Sequence, residues 1–273
     1  MSAILKIKVK ILLKKALNPN VYLIKLLAPT IAQQAVPGQF VHIRCNHDNY
    51  PLLRRPFSIH QINKKKGEIC ILFQVIGEGT RILSENKVGE ELDILGPLGN
   101  GFSLYPGSQR IIIVGGGIGI APLLALTEES IEKRKNVRVL IGNCSKEMII
   151  GEESFKDLGI KVNIATEDGS CQYKGLVTDL LTEVISVWQP DQIFACGPKA
   201  MLKKVAGIST WNNINCQVSL EERMGCGIGA CVACVCKIKI KEKQEDKGEC
   251  HYNYKRVCMD GPIFQANEVI WDD

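Results

Sequence analysis

No stretch of this 273-residue chain approaches the roughly 20 consecutive apolar residues that a membrane-spanning helix needs. Nor does the N-terminus hold the unbroken apolar segment of a signal peptide. Ile4–Ile11 alternates apolar residues with lysines, which reads as a half-exposed strand. Basic runs are short as well. None exceeds Lys64-Lys65-Lys66, in a chain whose net charge is only +5, so a solvated turn explains the triplet better than nucleic acid does. Internal repeats and low-complexity segments are missing. The twelve cysteines are too dilute for a secreted disulfide scaffold, and several, such as Cys70 and Cys196, stand singly inside apolar runs as small hydrophobes do. These absences leave a cytoplasmic protein with no membrane and no nucleic acid among its partners. Its 45% hydrophobic and 23% charged residues are those of an ordinary soluble chain, long enough for two or three small domains.

What is present falls into three parts. Residues 1–106 read as antiparallel β, with short β-branched runs (Val21–Leu27, Phe40–Arg44, Glu68–Val75, Glu91–Leu95) broken by Pro-Gly, Asn and Gly turns. Six or so strands punctuated this way predict a small barrel. Across 107–212 the rhythm becomes strand–helix alternation. Strands are expected at Arg110–Val114, Val137–Gly142, Lys161–Thr166 and Gln192–Ala195, with helices over Pro122–Lys133, Leu176–Ser186 and Pro198–Ala206. That alternation predicts a parallel sheet covered on both faces. A cysteine-rich module fills 213–273. The fold class is therefore multidomain, β plus α/β, with a small C-terminal module.

Within that module Cys226, Cys231 and Cys234 are spaced C-x4-C-x2-C, the spacing of plant-type 2Fe–2S ligation, which needs one distant fourth cysteine. Gly225, Gly227 and Gly229 alternate through the loop and allow its backbone to wrap close to sulfur. Cys258, with apolar flanks and a Gly-Pro turn, is read as the fourth ligand. Cys236 lies too near Cys234 to close the square comfortably, and Cys250 sits among polar residues. Structural zinc is the rival, since it also takes four thiolates. It usually takes them from two short hooks, whereas here three cysteines cluster and the fourth stands apart.

Two further motifs carry chemistry. In Arg54-Arg55-Pro56-Phe57-Ser58, an Arg-x-x-Ser can place a guanidinium on a phosphate and a hydroxyl on a ring nitrogen. Gly77-Glu78-Gly79-Thr80 then opens a short helix, whose N-terminus suits an anion. In the second motif Ile111–Val114 runs into Gly115-Gly116-Gly117-Ile118-Gly119-Ile120-Ala121-Pro122. This is a strand, a glycine turn and a helix, with Pro122 in place of the third glycine of the dinucleotide fingerprint.

Together these motifs resemble the ferredoxin–NADP reductase superfamily, an FAD-binding barrel followed by a nicotinamide-binding α/β domain. The resemblance implies FAD contacts from Arg55, Pro56, Phe57 and Ser58. In it Arg55 lies on the pyrophosphate and Ser58 near the flavin ring, with Leu72, Phe73 and Gln74 beside the flavin and Gly79 and Thr80 at the pyrophosphate. It implies NAD contacts from Gly115, Gly116, Gly117, Gly119 and Pro122, and from the Cys196-Gly197-Pro198-x-x-Met201 segment. Cys196 would line the nicotinamide site without acting as a nucleophile. Glu167-Asp168-Gly169-Ser170 is either a loop near the cofactor or simply a turn. All three modules in this order resemble the electron-transfer subunits of class 1B dihydroorotate dehydrogenases. That family implies one FAD and one 2Fe–2S cluster per subunit, NAD as electron acceptor, and a role in pyrimidine biosynthesis. It also implies an FMN-containing catalytic partner in a heterotetramer of two subunits of each kind. The alternatives are a flavin/iron–sulfur subunit of an NAD(P)H:ferredoxin, sulfide or hydrogenase system, and a zinc-stapled module with no enzymatic role.

Overall fold

The computed structural model describes residues 4–46, 50–240 and 252–272; Cys250 lies outside the described residues. Alternating apolar and polar residues build the first unit. β1 (Leu5–Asn18), β2 (Val21–Leu27), β3 (Phe40–Arg44), β4 (Arg55–Asn63), β5 (Glu68–Gln74) and β6 (Glu91–Leu98) close into an antiparallel barrel in the order β1-β2-β5-β4-β3-β6. Inward residues such as Ile24, Val41, Phe57, Ile71 and Ile94 fill it. Closure leaves the sheet without an open edge. Two short helices flank the barrel, α1 (Pro29–Gln34), which buries Ile31 and Ala32, and α2 (Glu78–Glu85).

The second unit is a seven-stranded sheet in the order β10-β9-β8-β7-β11-β12-β15. Its parallel strands are β7 (Arg110–Gly116), β8 (Asn136–Asn143), β9 (Lys161–Thr166), β10 (Tyr173–Lys174), β11 (Gln192–Cys196) and β12 (Asn215–Ser219). The helices α3 (Leu123–Glu132), α4 (Glu152–Asp157), α5 (Val177–Val187) and α6 (Lys199–Trp211) cover it. Burial on both faces explains the unbroken Ile111–Val114 run. The chain then forms a hairpin of β13 (Val235–Lys239) and β14 (Tyr252–Arg256). It returns as β15 (Ile263–Gln265), antiparallel to β12. The cysteine-bearing segment is thus stitched into the edge of the dinucleotide-type sheet.

Polar contacts lock barrel and sheet together. Asn100 N donates to Gly261 O at 2.6 Å, and the Gln192 and Gln217 side-chain amides both donate to Ser103 O. His60 Nδ1 lies 2.7 Å from Ala121 O and so carries the proton there. Burial pushes the His60 pKa down from 6.5 to about 4. The unfolded chain takes up this proton near pH 6.5 and the folded chain only near 4. Stability is therefore complete above pH 6.5 and falls as the pH drops toward 4, by about 2 kcal/mol at pH 5. His60→Gln keeps a donor and removes the titration. Urea unfolding of this variant is expected to lose less stability than the parent between pH 7 and pH 5. An identical loss in both proteins would rule out His60 as the source.

Candidate functional site

The glycine turn sits where β7 ends, and sterics explain its composition. A Cβ on Gly119 would lie 2.5 Å from Cys196 O, and one on Gly116 would lie 2.6 Å from Met201 Sδ and 2.9 Å from Pro198 Cδ. Gly117 has φ +55°, which glycine adopts without strain. The two predicted nicotinamide segments therefore pack directly on one another at the carboxyl ends of β7 and β11, where open α/β sheets bind their ligands. Pro122 caps α3 rather than occupying its first turn. Burial pushes the Cys196 thiol up to about 12, so it remains protonated at neutral pH. A cleft of about 530 Å³ opens here, lined by Gly117, Gly119, Cys196 and Pro198 and also by Gln74 of the barrel and Glu222 of the cysteine loop. Trp271 and Tyr254 also line it, and no sequence signal marked them.

On the barrel, β3–β4 pairing sets Pro56 opposite His42 and Ser58 opposite Phe40. Pro56 and Ser58 are half-buried on the outer face, while Phe57 points into the core edge-on to Phe73, with ring centroids 5.3 Å apart. Only the backbones of Phe57 and Phe73 remain for a ligand. Arg54 is engaged by Asp93, its guanidinium donating at 2.8 Å to both the carboxylate and the carbonyl. Arg55 instead lies over the start of α2, where a Cβ on Gly79 would be 3.0 Å from Arg55 Nε. The Thr80 hydroxyl accepts from Ile76 N and Gly77 N and donates to Gly77 O. It therefore shapes the loop, and the unpaired N–H groups of the first helical turn are what remain for an anion. A guanidinium over a helix N-terminus, with a glycine keeping the approach open, fits a pyrophosphate.

The cysteine loop follows β12. Gly227 (φ +72°), Gly229 (φ +80°) and Val232 (φ +58°) turn its backbone N–H groups onto sulfur. Cys226 Sγ accepts from Ile228 N (3.4 Å), Ala230 N (3.2 Å) and Cys231 N (3.4 Å). Cys258 Sγ accepts from Gly229 N (3.2 Å), and Cys234 Sγ from Cys258 N (3.4 Å). Burial opposes ionisation of Cys226, but the surrounding N–H donors outweigh it and hold the thiol down at about 7. Burial, and then Cys234 beside it, pushes Cys258 up to about 12. Among the described residues no three His, Cys, Asp or Glu side chains are grouped to hold a single metal ion. Backbone N–H to sulfur bonds instead join the cysteines in two pairs, Cys231 N to Cys226 Sγ and Cys258 N to Cys234 Sγ. Two pairs of thiolates ringed by N–H donors fit a two-iron cluster, in which each iron takes two. Cys236, on β13, packs against the hydrophobic cluster that holds Cys234 and Cys258 but belongs to neither pair. Phe40 of β3 and Leu98 of β6 pack with Cys234, Val257 and Cys258, so the cysteine loop rests on the same outer face of the barrel that carries Pro56 and Ser58.

Comparison with known proteins follows the same division. Residues 8–102 match the oxidoreductase FAD-binding domain, 113–207 the oxidoreductase NAD-binding domain, and 221–270 the iron–sulfur cluster binding domain of dihydroorotate dehydrogenase B. Barrel, sheet and cysteine loop thus define a flavin- and nicotinamide-type oxidoreductase chain with an iron–sulfur domain. The chain is 40% identical to the dihydroorotate dehydrogenase B (NAD(+)) electron transfer subunit of Desulforamulus reducens, covering 96% of this chain and 97% of that one. It is 42% identical to the subunit of the same name from Caldanaerobacter subterraneus subsp. tengcongensis, covering 97% and 99%. It belongs to the family of dihydroorotate dehydrogenase B electron transfer subunits. A solved NADH-dependent reduced ferredoxin-NADP oxidoreductase superposes with a TM-score of 0.83 at 28% identity, over 96% of this chain and 90% of that one. The ferredoxin reductase of carbazole 1,9a-dioxygenase shares the fold at a TM-score of 0.66 and 20% identity, over 77% of this chain and 67% of that one. No helix among the described residues is long and apolar enough to cross a membrane.

Proposed function

We propose that this chain conducts electrons between an FMN-bearing dihydroorotate dehydrogenase subunit and NAD⁺, within a cytoplasmic heterotetramer of two subunits of each kind. The observation that carries the reading is the shared face. Cys234 and Cys258 pack on Phe40 and Leu98 of the barrel, and one cleft is lined jointly by Gln74 of the barrel, the glycine turn and Glu222 of the cysteine loop. When bound, the cluster passes electrons singly, and the flavin gathers them in pairs for transfer as a hydride to NAD⁺.

The residues of the chain bind and align. Arg55 and the first turn of α2 take the FAD pyrophosphate, while Ser58 and Gln74 border the ring. Gly115–Gly119 and the Cys196–Met201 segment admit the nicotinamide nucleotide. Protonated Cys196 contributes shape and exchanges no proton. Glu167 and Asp168 follow β9 and bond back to the end of β8, through Glu167 N to Asn143 O and Asp168 N to Cys144 O. Carboxylates placed there suit a ribose diol and repel a 2′-phosphate, favouring NAD over NADP. Cys226, Cys231, Cys234 and Cys258 ligate the cluster. Ile228 and Val232, 43% and 57% exposed beside these ligands, offer an apolar rim to the partner.

The test is the visible spectrum of anaerobically purified protein before and after NADH. Flavin bands and a long-wavelength iron–sulfur shoulder, both bleached by NADH, are expected. A protein that stays colourless even when co-expressed with its catalytic partner, or one that holds zinc in place of iron, would sink the reading.

A further inference from the structure

A second cleft, of about 250 Å³, opens on the β8 side of the glycine turn, between the β1–β2 turn of the barrel and the loop after β8. Gln74, Gly117 and Ile118 line both this cleft and the larger one, so the two form a single trough with the glycine turn at its waist. The waist is open, because no protein atom lies within 4 Å of where a Cβ on Gly117 would stand. A pyrophosphate held at such a turn sends its two nucleosides to opposite sides. The larger cleft carries the Cys196–Pro198 nicotinamide segment, so the other nucleoside of a dinucleotide leaves toward β8.

The second cleft is built for a base. Val21, Ile118 and Met148 give it apolar surface, and Asn20 and Glu147 stand at its polar side. The Asn143 side-chain amide donates to Met148 O at 2.5 Å and fixes the loop that presents Met148. From the barrel, Asn20 is held at both ends of its backbone. Asn20 N donates to Asn18 Oδ1 at 3.0 Å, and Asn20 O accepts from Val75 N at 2.7 Å. Val21 pairs with Gln74, which sets this turn directly beside the waist of the trough. The Asn20 side-chain amide forms no hydrogen bond among the described residues. A fixed backbone with an uncommitted amide is preorganised for a ligand. A carboxamide also matches the edge of adenine, donating to N7 and accepting from the N6 amine.

We propose that this cleft takes the adenosine half of NAD and that Asn20 is a specificity-determining residue there, its side-chain amide reading the adenine edge. The proposal rests on the electron-conduit reading above, in which the glycine turn admits the nicotinamide nucleotide. It adds a barrel residue to a site otherwise built by the α/β unit. No bond forms or breaks in this cleft. Binding energy gathered there holds the nicotinamide in the larger cleft.

The experiment follows stopped-flow bleaching of the flavin in the full chain against the concentration of three hydride donors. These are NADH, its hypoxanthine analogue, in which a carbonyl replaces the N6 amine, and reduced nicotinamide mononucleotide, which has no adenosine half. The parent is expected to bind NADH about tenfold more tightly than the hypoxanthine analogue, the size of one bidentate base contact. Asn20→Ala is expected to erase that preference. It should weaken NADH about tenfold and leave the other two donors, the limiting bleaching rate and the flavin content as in the parent. Asn20→Ser, whose hydroxyl is too short for a bidentate contact, is expected to do the same and replaces the alanine variant if that one fails to fold. Equal affinity of the parent for NADH and the hypoxanthine analogue overturns the proposal, as does an Asn20 variant that weakens all three donors alike. A parent whose bound flavin none of the donors bleaches would instead condemn the conduit reading, so the two failures are distinguishable.

Discussion

Cys258→Ser is expected to keep its FAD and lose its cluster. Cys258 is 2% exposed, its sulfur takes the Gly229 N–H, and it pairs with Cys234 on the barrel-facing side of the loop. A serine oxygen there is shorter and harder, a poor ligand for iron that prefers soft thiolate. The flavin strand is a separate element, so flavin content and flavin bleaching by NADH should persist, while iron content and dihydroorotate-to-NAD⁺ transfer in the complex fall to background. Cys236→Ser and Cys250→Ser serve as controls and should retain the cluster. Cys236 stands on β13 outside both thiol pairs, and Cys250 has polar neighbours in sequence. Full activity in Cys258→Ser, or loss of iron in Cys250→Ser instead, would reassign the fourth ligand.

Arg55→Ala should have the next largest effect, on FAD retention. Its guanidinium is the cation poised over the α2 N-terminus, and two charge-assisted hydrogen bonds to a pyrophosphate are together worth roughly 3–4 kcal/mol, or about 100- to 1,000-fold in affinity. The neighbouring Arg54→Ala is the informative contrast. Arg54 is bound to Asp93 at 2.8 Å, so its loss should lower stability and leave a Asp93 carboxylate half-buried without its partner, with FAD affinity changed far less. Flavin retained through gel filtration and titrated by fluorescence distinguishes the two. Equal flavin loss from both variants would mean that the pair acts through folding alone.

Much of this was legible in the sequence because the relevant constraints are local. The Cys226–Cys234 spacing is that of plant-type 2Fe–2S ligation. The glycine turn after Ile111–Val114 reads as a point of close approach, and in the structure Gly119 is packed against the Cys196 carbonyl. Strand alternation delivered β2, β3 and β9 at their observed limits. What escaped is non-local. Nothing in Asn215–Ser219 states that it will pair with β11, and nothing in Ile263–Gln265 states that it will run against β12. Gly96-Pro97 reads as the opening of a turn, yet β6 continues to Leu98, because Leu98 is needed beneath Cys234 and Cys258. The Phe57 of the flavin motif turned out to belong to the barrel core. Asn20 carries no motif at all, and its interest arises only when the barrel turn and the distant loop after β8 meet beside the glycine turn.

The strand β15 makes the cysteine segment something other than an appended module. Its hydrogen bonds to Gln217, Val218 and Ser219 cover the edge of the dinucleotide-type sheet, while Gln217 holds the chain at Ser103 where it leaves the barrel. An ancestral reductase that acquired this segment would have surrendered its sheet edge to it, and reversal would expose a row of unpaired backbone groups ready to pair with other chains. Wiring and scaffold are one object: the segment that faces the partner's electrons also seals the sheet, so selection on either one constrains the other.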